Sequence, residues 1–302
     1  MIKNKYKNIE LTDSIEKAKF ITHSGKFHVD DVISTIFLSK IFDKIVLIRI
    51  PSIDNKNIAD KIVYDIGGGE FDHHQKNRNG QRDNGIYYSS IGLLWRKYGK
   101  EYLKTLMVNN VEKTFKYIDE ELIQYIDAAD NMQIEYAKNK ILPDFIKLCN
   151  PEWNEKTEEN EAFIKAIKLA DEFWKVYIKH AIAVVEATEI ILKKIEDCKD
   201  CYLILDTDMP YKRAISIAKR NDIKYIIFKS KREGYDIRTL INSCRFKDEI
   251  SKAEDIEEAR KASGVKELIY IDVHGKLCCT KTLESAIQIV KYNEDIKEKL
   301  NY

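Results

Sequence analysis

Histidine and aspartate crowd into two short stretches near the start of the chain, THSGKFHVDD (22–31) and YDIGGGEFDHHQ (64–75). Four of the six histidines, His23, His28, His73 and His74, fall there, where even scattering would put about one. With them come Asp30, Asp65 and Asp72. Bare imidazoles and carboxylates packed together repel one another or lose hydration at high cost. Divalent cations resolve both problems, because neutral imidazole and carboxylate each bind them. Mixed nitrogen and oxygen donors without thiolate suit manganese, and accept magnesium, cobalt or zinc. Gly67, Gly68 and Gly69 let the backbone turn sharply between Asp65 and Asp72.

Such a site needs elements that bring the two stretches together. KFITH (19–23) reads as a short buried strand that ends at His23. His28 and Asp30 follow in its loop. DDVISTIFLSKIF (30–42) has helical apolar spacing, with Asp30 or Asp31 near the N-terminus, where a carboxylate also caps. KIVLIRI (44–50) and KIVYDI (61–66) are further strands, and Asp65 ends the second. This order predicts a mainly parallel sheet flanked by helices. In such a sheet the carboxyl ends of the strands open on one crevice, which is where these side chains fall.

Beyond this, SSIGLLWRKYG predicts a helix that stops at Gly99, and 101–195 is almost wholly helical in pattern. The exception is a long connection at 142–160. Lys168 to Glu196 predicts one or two amphipathic helices as a linker. From Cys201 strands and helices alternate again: strands at 201–206, 223–229, 235–241, 267–273 and 276–280, helices at 210–220, 254–263 and 282–293. The fold class expected is α/β, with a metal-binding domain and helical connection over 1–195 and a smaller α/β domain over 196–302.

The chain has 302 residues, 44% hydrophobic and 33% charged, with a formal net charge of +1. That supports a real core and gives no global field to gather a polyanion. The first residues lack the apolar run of a signal peptide, and no stretch nears the roughly 18 apolar residues of a membrane span, so the expected location is cytoplasmic with no membrane partner. Cys198 and Cys201 have C-x-x-C spacing without a second pair at zinc-ribbon distance, and read as a turn cysteine and a strand start.

The motifs THSGKFHVDD, VYDIGGGEFDHHQ, YYSSIGL (87–93) and YIDAADN (125–131) resemble, in order and wording, those of the DHH phosphoesterase superfamily. Within it they resemble the melanocyte-proliferating-gene family of metal-dependent exonucleases. LILDTDMPYKRAI (203–215) and SGVKELIYIDVHGKLCCTKTLESAI (263–287) extend the resemblance over nearly the whole chain. It implies a DHH-type N-terminal domain and two metal ions held by His23, His28, Asp30, Asp65, His73 and Asp127, with Asp65 bridging and Asp130 competing with Asp127. It implies Asp72 and His74 as catalytic, His74 stabilising charge on the phosphoryl group. Two cations about 3.5–4 Å apart make a shared water a nucleophile at neutral pH.

A phosphodiester chain also needs cations and aromatic groups outside the metals. Lys76, Arg78 and Arg82, in a polar loop over 77–84, are placed in sequence for that. Lys212 and His274 are the candidates from the second half. Relatives carry a His in the strand before Ser-Gly and a Gly-Gly pair before Lys-Thr. Here Asp272, His274 and Cys278-Cys279 stand instead, and cysteines restrict close backbone approach. The leading expectation is a 3′–5′ exonuclease acting on RNA or short oligonucleotides. The alternatives are a phosphoesterase for cyclic dinucleotides, phosphoadenosine phosphate or pyrophosphate, and a non-catalytic metal-containing nucleic-acid-binding protein. A homo-oligomer is compatible with all three.

Overall fold

The computed structural model describes residues 5–53, 58, 60–76, 78–133, 135–137, 141–241 and 244–300, the last six of these without side chains. Asn77, in the predicted polar loop, lies outside the described residues. The chain divides into two compact units, Met1–Val185 and Glu186–Tyr302.

The first unit is built on a five-stranded sheet of order β1-β2-β4-β3-β5. Its strands are β1 Lys5–Tyr6, β2 Ile9–Leu11, β3 Phe20–His23, β4 Ile45–Ile50 and β5 Ile62–Val63. β2, β4, β3 and β5 run parallel, and only β1 turns back on β2. Burial explains the apolar runs: Ile45, Leu47 and Ile48 are buried, since the sheet is covered on both faces. α1 (Val29–Ser39) crosses from β3 to β4, and every residue from Val29 to Leu38 is buried.

α2 (Ser90–Thr105) packs on α1. It runs through Gly99, where the sequence predicted a stop. A Cβ there would lie 2.8 Å from the Phe115 ring, so the glycine serves close packing. α3 (Val111–Ile118), a π-helical turn (Asp119–Ile123) and α4 (Gln124–Asp130) follow without interruption. α5 (Ile141–Lys147) occupies part of the predicted connection, because Pro143 sits in the first turn, where its missing N–H costs nothing. α6 is one helix of 38 residues, Glu159–Glu196, starting nine residues before the predicted linker. The core joins α1, α2 and α6 through Phe37, Trp95, Tyr102 and Trp174, whose rings meet at 5.3–6.5 Å.

The second unit holds a mixed sheet of order β6-β7-β8-β10-β9. Its strands are β6 Tyr202–Leu205, β7 Tyr225–Lys229, β8 Tyr235–Thr239, β9 Leu268–Ile271 and β10 Leu277–Thr280. β6 and β7 are parallel, and the other pairs are antiparallel. Helices α7 (Lys212–Ala218), α8 (Asp248–Ser251), α9 (Ile256–Ser263) and α10 (Leu283–Leu300) complete it. Gly264 ends α9 in the left-handed conformation, as expected of a C-terminal glycine. None of the six cysteines forms a disulfide. No helix among the described residues is long and apolar enough to cross a membrane.

Candidate metal centre

His23 closes β3, and its ring sits against two buried carboxylates. Nε2 lies 3.0 Å from Asp31 Oδ2 and 3.1 Å from Asp65 Oδ2. Nδ1 donates to the Ser24 carbonyl at 3.0 Å, which fixes the tautomer and leaves the Nε2 lone pair for the centre. Asp31 stands one residue past the predicted ligand. It caps α1 by accepting the His28 N–H on Oδ1 and turns Oδ2 toward His23. Asp31 thus caps with one oxygen and leaves the other facing His23.

Asp65 follows β5 with φ of +60°, a left-handed conformation rare for a non-glycine. Its N–H bonds the Phe71 carbonyl, which closes the glycine loop. This aims Oδ1 at His73 Nε2, 3.0 Å away, and Oδ2 at His23. His73 Nε2 also lies 3.1 Å from Asp130 Oδ2 and 3.7 Å from Asp30 Oδ2. Its Nδ1 donates to Asn131 Oδ1, whose amide donates to the Asp127 carbonyl. Asn131 therefore orients His73, a role that its place in YIDAADN did not reveal.

Two serines organise the carboxylates. Ser90 donates from its hydroxyl to Asp30 Oδ2 at 2.8 Å. Ser89 donates from its hydroxyl to Asp127 Oδ1 at 2.6 Å. Asp127 is not part of the cluster. It is fully buried, takes N–H bonds from Ser89 and Gly92, and lies 2.7 Å from Arg82 Nη1. Its companion Asp130 meets His28 and His73 instead. Arg82 likewise departs from its expected substrate role: it is buried, bound to Asp127 and bidentate to Asp119. Against the cost of burial, those two carboxylates hold its guanidinium charged.

Asp72 meets the cluster through His74, whose Nδ1 lies 2.9 Å from Asp72 Oδ1 and 3.6 Å from Asp65 Oδ1. Asp72 Oδ2 accepts the Gly68 N–H and Oδ1 accepts the backbone and Nδ1 protons of His74. That bond raises the His74 pKa. His74 and Lys76 are exposed, and exposed Arg78 lies 5.0 Å over the Tyr87 ring. His28 is exposed with Nδ1 3.9 Å from Asp130. Lys212, at the start of α7, and His274, in the β9–β10 turn, are exposed residues of the second unit.

Three sets of groups present ligand atoms within 4.8 Å of one another: His23–Asp31–Asp65, Asp65–His73–His74 and His28–Asp30–Asp130. Asp65 belongs to two of them. Asp30 Oδ1, Asp31 Oδ2 and Asp65 Oδ2 are buried without a hydrogen-bond partner. Such oxygens are costly unless a cation takes them. The field says the same. Burial opposes charge on His23 and His73, yet the carboxylates push their pKa up to about 11 and about 9. Burial, then Asp30 and Asp65, lifts the Asp130 carboxyl well above its usual range. The donor set fits divalent cations.

A family model, MYG1_exonuc, described as "Uncharacterised protein family (UPF0160)", matches residues 19–293. The chain belongs to this family. The MYG1 protein of Saccharomyces cerevisiae is 24% identical over 95% of this chain and 98% of its own. That of Schizosaccharomyces pombe is 22% identical over 90% and 96%. That of Dictyostelium discoideum is 24% identical over 88% and 93%. Among solved structures, a pGpG-specific phosphodiesterase of Vibrio cholerae covers 92% of this chain and 99% of its own at 14% identity. Its TM-score is 0.26, too low for the overlay to carry an argument.

Proposed function

We propose that this MYG1-family chain is a metal-dependent phosphodiester hydrolase, a 3′–5′ exonuclease of RNA or short oligonucleotides. The family model's name supports a hydrolytic phosphoesterase or nuclease. One observation carries the reading: two buried carboxylate oxygens without a hydrogen-bond partner, Asp31 Oδ2 and Asp65 Oδ2, converge on His23 Nε2, and the other Asp65 oxygen faces His73 Nε2. His23, Asp31, Asp65, His73, Asp30 and Asp130 would hold two divalent cations, manganese by donor type, with His28 beside them. Bound there, such ions supply a nucleophile from water at neutral pH and withdraw charge from phosphoryl oxygens.

The chain's own groups set the rest. Asp65 turns one oxygen to each histidine and so spaces the two halves of the centre. Ser24 and Asn131 fix the ring orientations of His23 and His73. Asp72 accepts the Nδ1 proton of His74 and raises its pKa, which favours the protonated ring that would stabilise charge on the phosphoryl or leaving oxygen. Lys76 and Arg78 stand exposed on the same loop for backbone phosphates.

The test is hydrolysis of 5′- and 3′-labelled RNA and DNA with several divalent metals, beside an Asp65→Asn variant. The reading expects metal-dependent, stepwise release of mononucleotides, lost in the variant. Cleavage confined to mononucleotide-sized phosphates would replace the exonuclease with a small-molecule phosphoesterase. No turnover by folded, metal-loaded protein would leave a binding protein.

A further inference from the structure

A cavity of about 490 Å³ opens beside His28 and Asp130. It falls in the roughly 300–1,000 Å³ range of small-molecule sites, with room for one nucleoside monophosphate and not for several. Its walls are mostly apolar: Val29 from the start of α1, Ala129 at the end of α4, then Met132, Ala137 and Pro143. The methionine side chain is 82% exposed, although its neighbours Val29 and Ala137 are buried. A polarisable thioether held open above an apolar floor suits a flat aromatic ring.

Two cations stand on the same wall. Lys26 and Lys147 are exposed, and neither side chain makes an ion pair or hydrogen bond among the described residues. The polar group best placed to read a base edge is Asn150. It is already consumed, accepting the Phe27 N–H on Oδ1 and donating to the Phe27 carbonyl from Nδ2, both at 2.9 Å.

We infer that this cavity seats the terminal nucleoside of the substrate, its base on the apolar wall and its phosphates between Lys26, Lys147 and the metal centre. The inference rests on the phosphodiesterase reading and adds to it the seat of the terminal nucleotide and the groups that hold it. With Asn150 spent, Asp144 is the lining carboxylate outside the metal cluster left to meet a base edge, and stacking and apolar contact carry most of the hold on the base.

Methyl-labelled methionine NMR of the magnesium-loaded protein tests this directly. Adenosine 5′-monophosphate should shift the Met132 methyl saturably, whereas ribose 5-phosphate and inorganic phosphate should leave it in place. Lys26→Glu with Lys147→Glu should weaken the adenosine monophosphate titration at least tenfold. Both positions are exposed, and the unchanged shifts of Met107 and Met209 check the fold. A Met132 methyl that is silent to the nucleotide, in protein that hydrolyses oligonucleotides, overturns the subsite and leaves the phosphodiesterase. A saturable nucleotide shift without any hydrolysis upholds the subsite and overturns the activity. An equal response to inorganic phosphate also overturns the base seat.

Discussion

At the scale of single residues, one carboxylate divides its two oxygens between two histidines. Asp65 is buried, backbone-strained and left with one oxygen unpartnered. Replacing it with Asn keeps the shape and removes the charge. Altering second-layer partners of a metal already costs about 10–100-fold, so Asp65→Asn should lower activity by at least about 100-fold. The melting temperature should hold or rise, because a crowded buried charge is gone, and circular dichroism alongside kinetics checks both halves. Arg82 behaves oppositely. Arg82→Ala leaves Asp127 buried beside nothing but hydrogen-bond donors, and losing one partner of a buried pair costs about 3–5 kcal/mol. Urea unfolding should show that loss, with whatever protein remains folded still binding metal.

Most of the centre was legible because strand ends and residue types coincide: His23, His28, Asp30, Asp65 and His73 all meet where β3, β5 and the glycine loop finish. Asp31 was not, since an adjacent acidic pair at a helix start reads equally as capping, and Asp31 does cap. Asp127 and Asp130 lie three apart on one helix, so spacing alone left them equivalent. The arginine that claims Asp127 comes from a polar loop that reads as solvent-exposed, and its burial depends on tertiary packing.

At the scale of elements, α2 and α4 set the carboxylates by touching closely. A Cβ on Gly92 would stand 2.0 Å from Asp127 Oδ2. Gly92→Ala therefore forces α2 and α4 apart, at about 1–3 kcal/mol by the usual cost of overpacking. Thermal unfolding checks that loss, and the metal titration should weaken too, since Ser90, which bonds Asp30, shifts with α2. The same closeness explains the misread helix end: Gly99 has no exposed role as a stop, and admits Phe115 to the helix surface. Sequence marks a glycine without saying whether conformation or contact requires it. β3, β4 and β5 were readable from the apolar runs around them, whereas β1 and β2, at two and three residues, are too short for any periodicity.

At the scale of the molecule, Asp171 on α6 joins the first strand to the end of α1. Its carboxylate, nearly fully buried, binds Tyr6, Lys7 and Lys40. Burial alone would raise its pKa, but these partners hold it well below the usual carboxylate range. A depressed folded pKa stabilises above the unfolded value of about 4 and is lost as pH falls below it. Asp171→Asn should cost about 1–3 kcal/mol at pH 7, less than a sealed pair because the lysines are partly solvated. Unfolding at pH 7 and pH 3 should show the gap between variant and parent narrowing in acid, since the contribution is lost progressively from the unfolded pKa down through the folded one.

The proposed activity requires separate loops of the first unit to converge on a pair of cations. Anomalous diffraction at the manganese edge, from crystals grown with manganese, decides whether they do. Two peaks about 3.5–4 Å apart, with Asp65 between them and His23 and His73 on either side, are the expected result. Full-occupancy manganese elsewhere, or none within reach of Asp65 in crystals that hold these side chains as described, would contradict it.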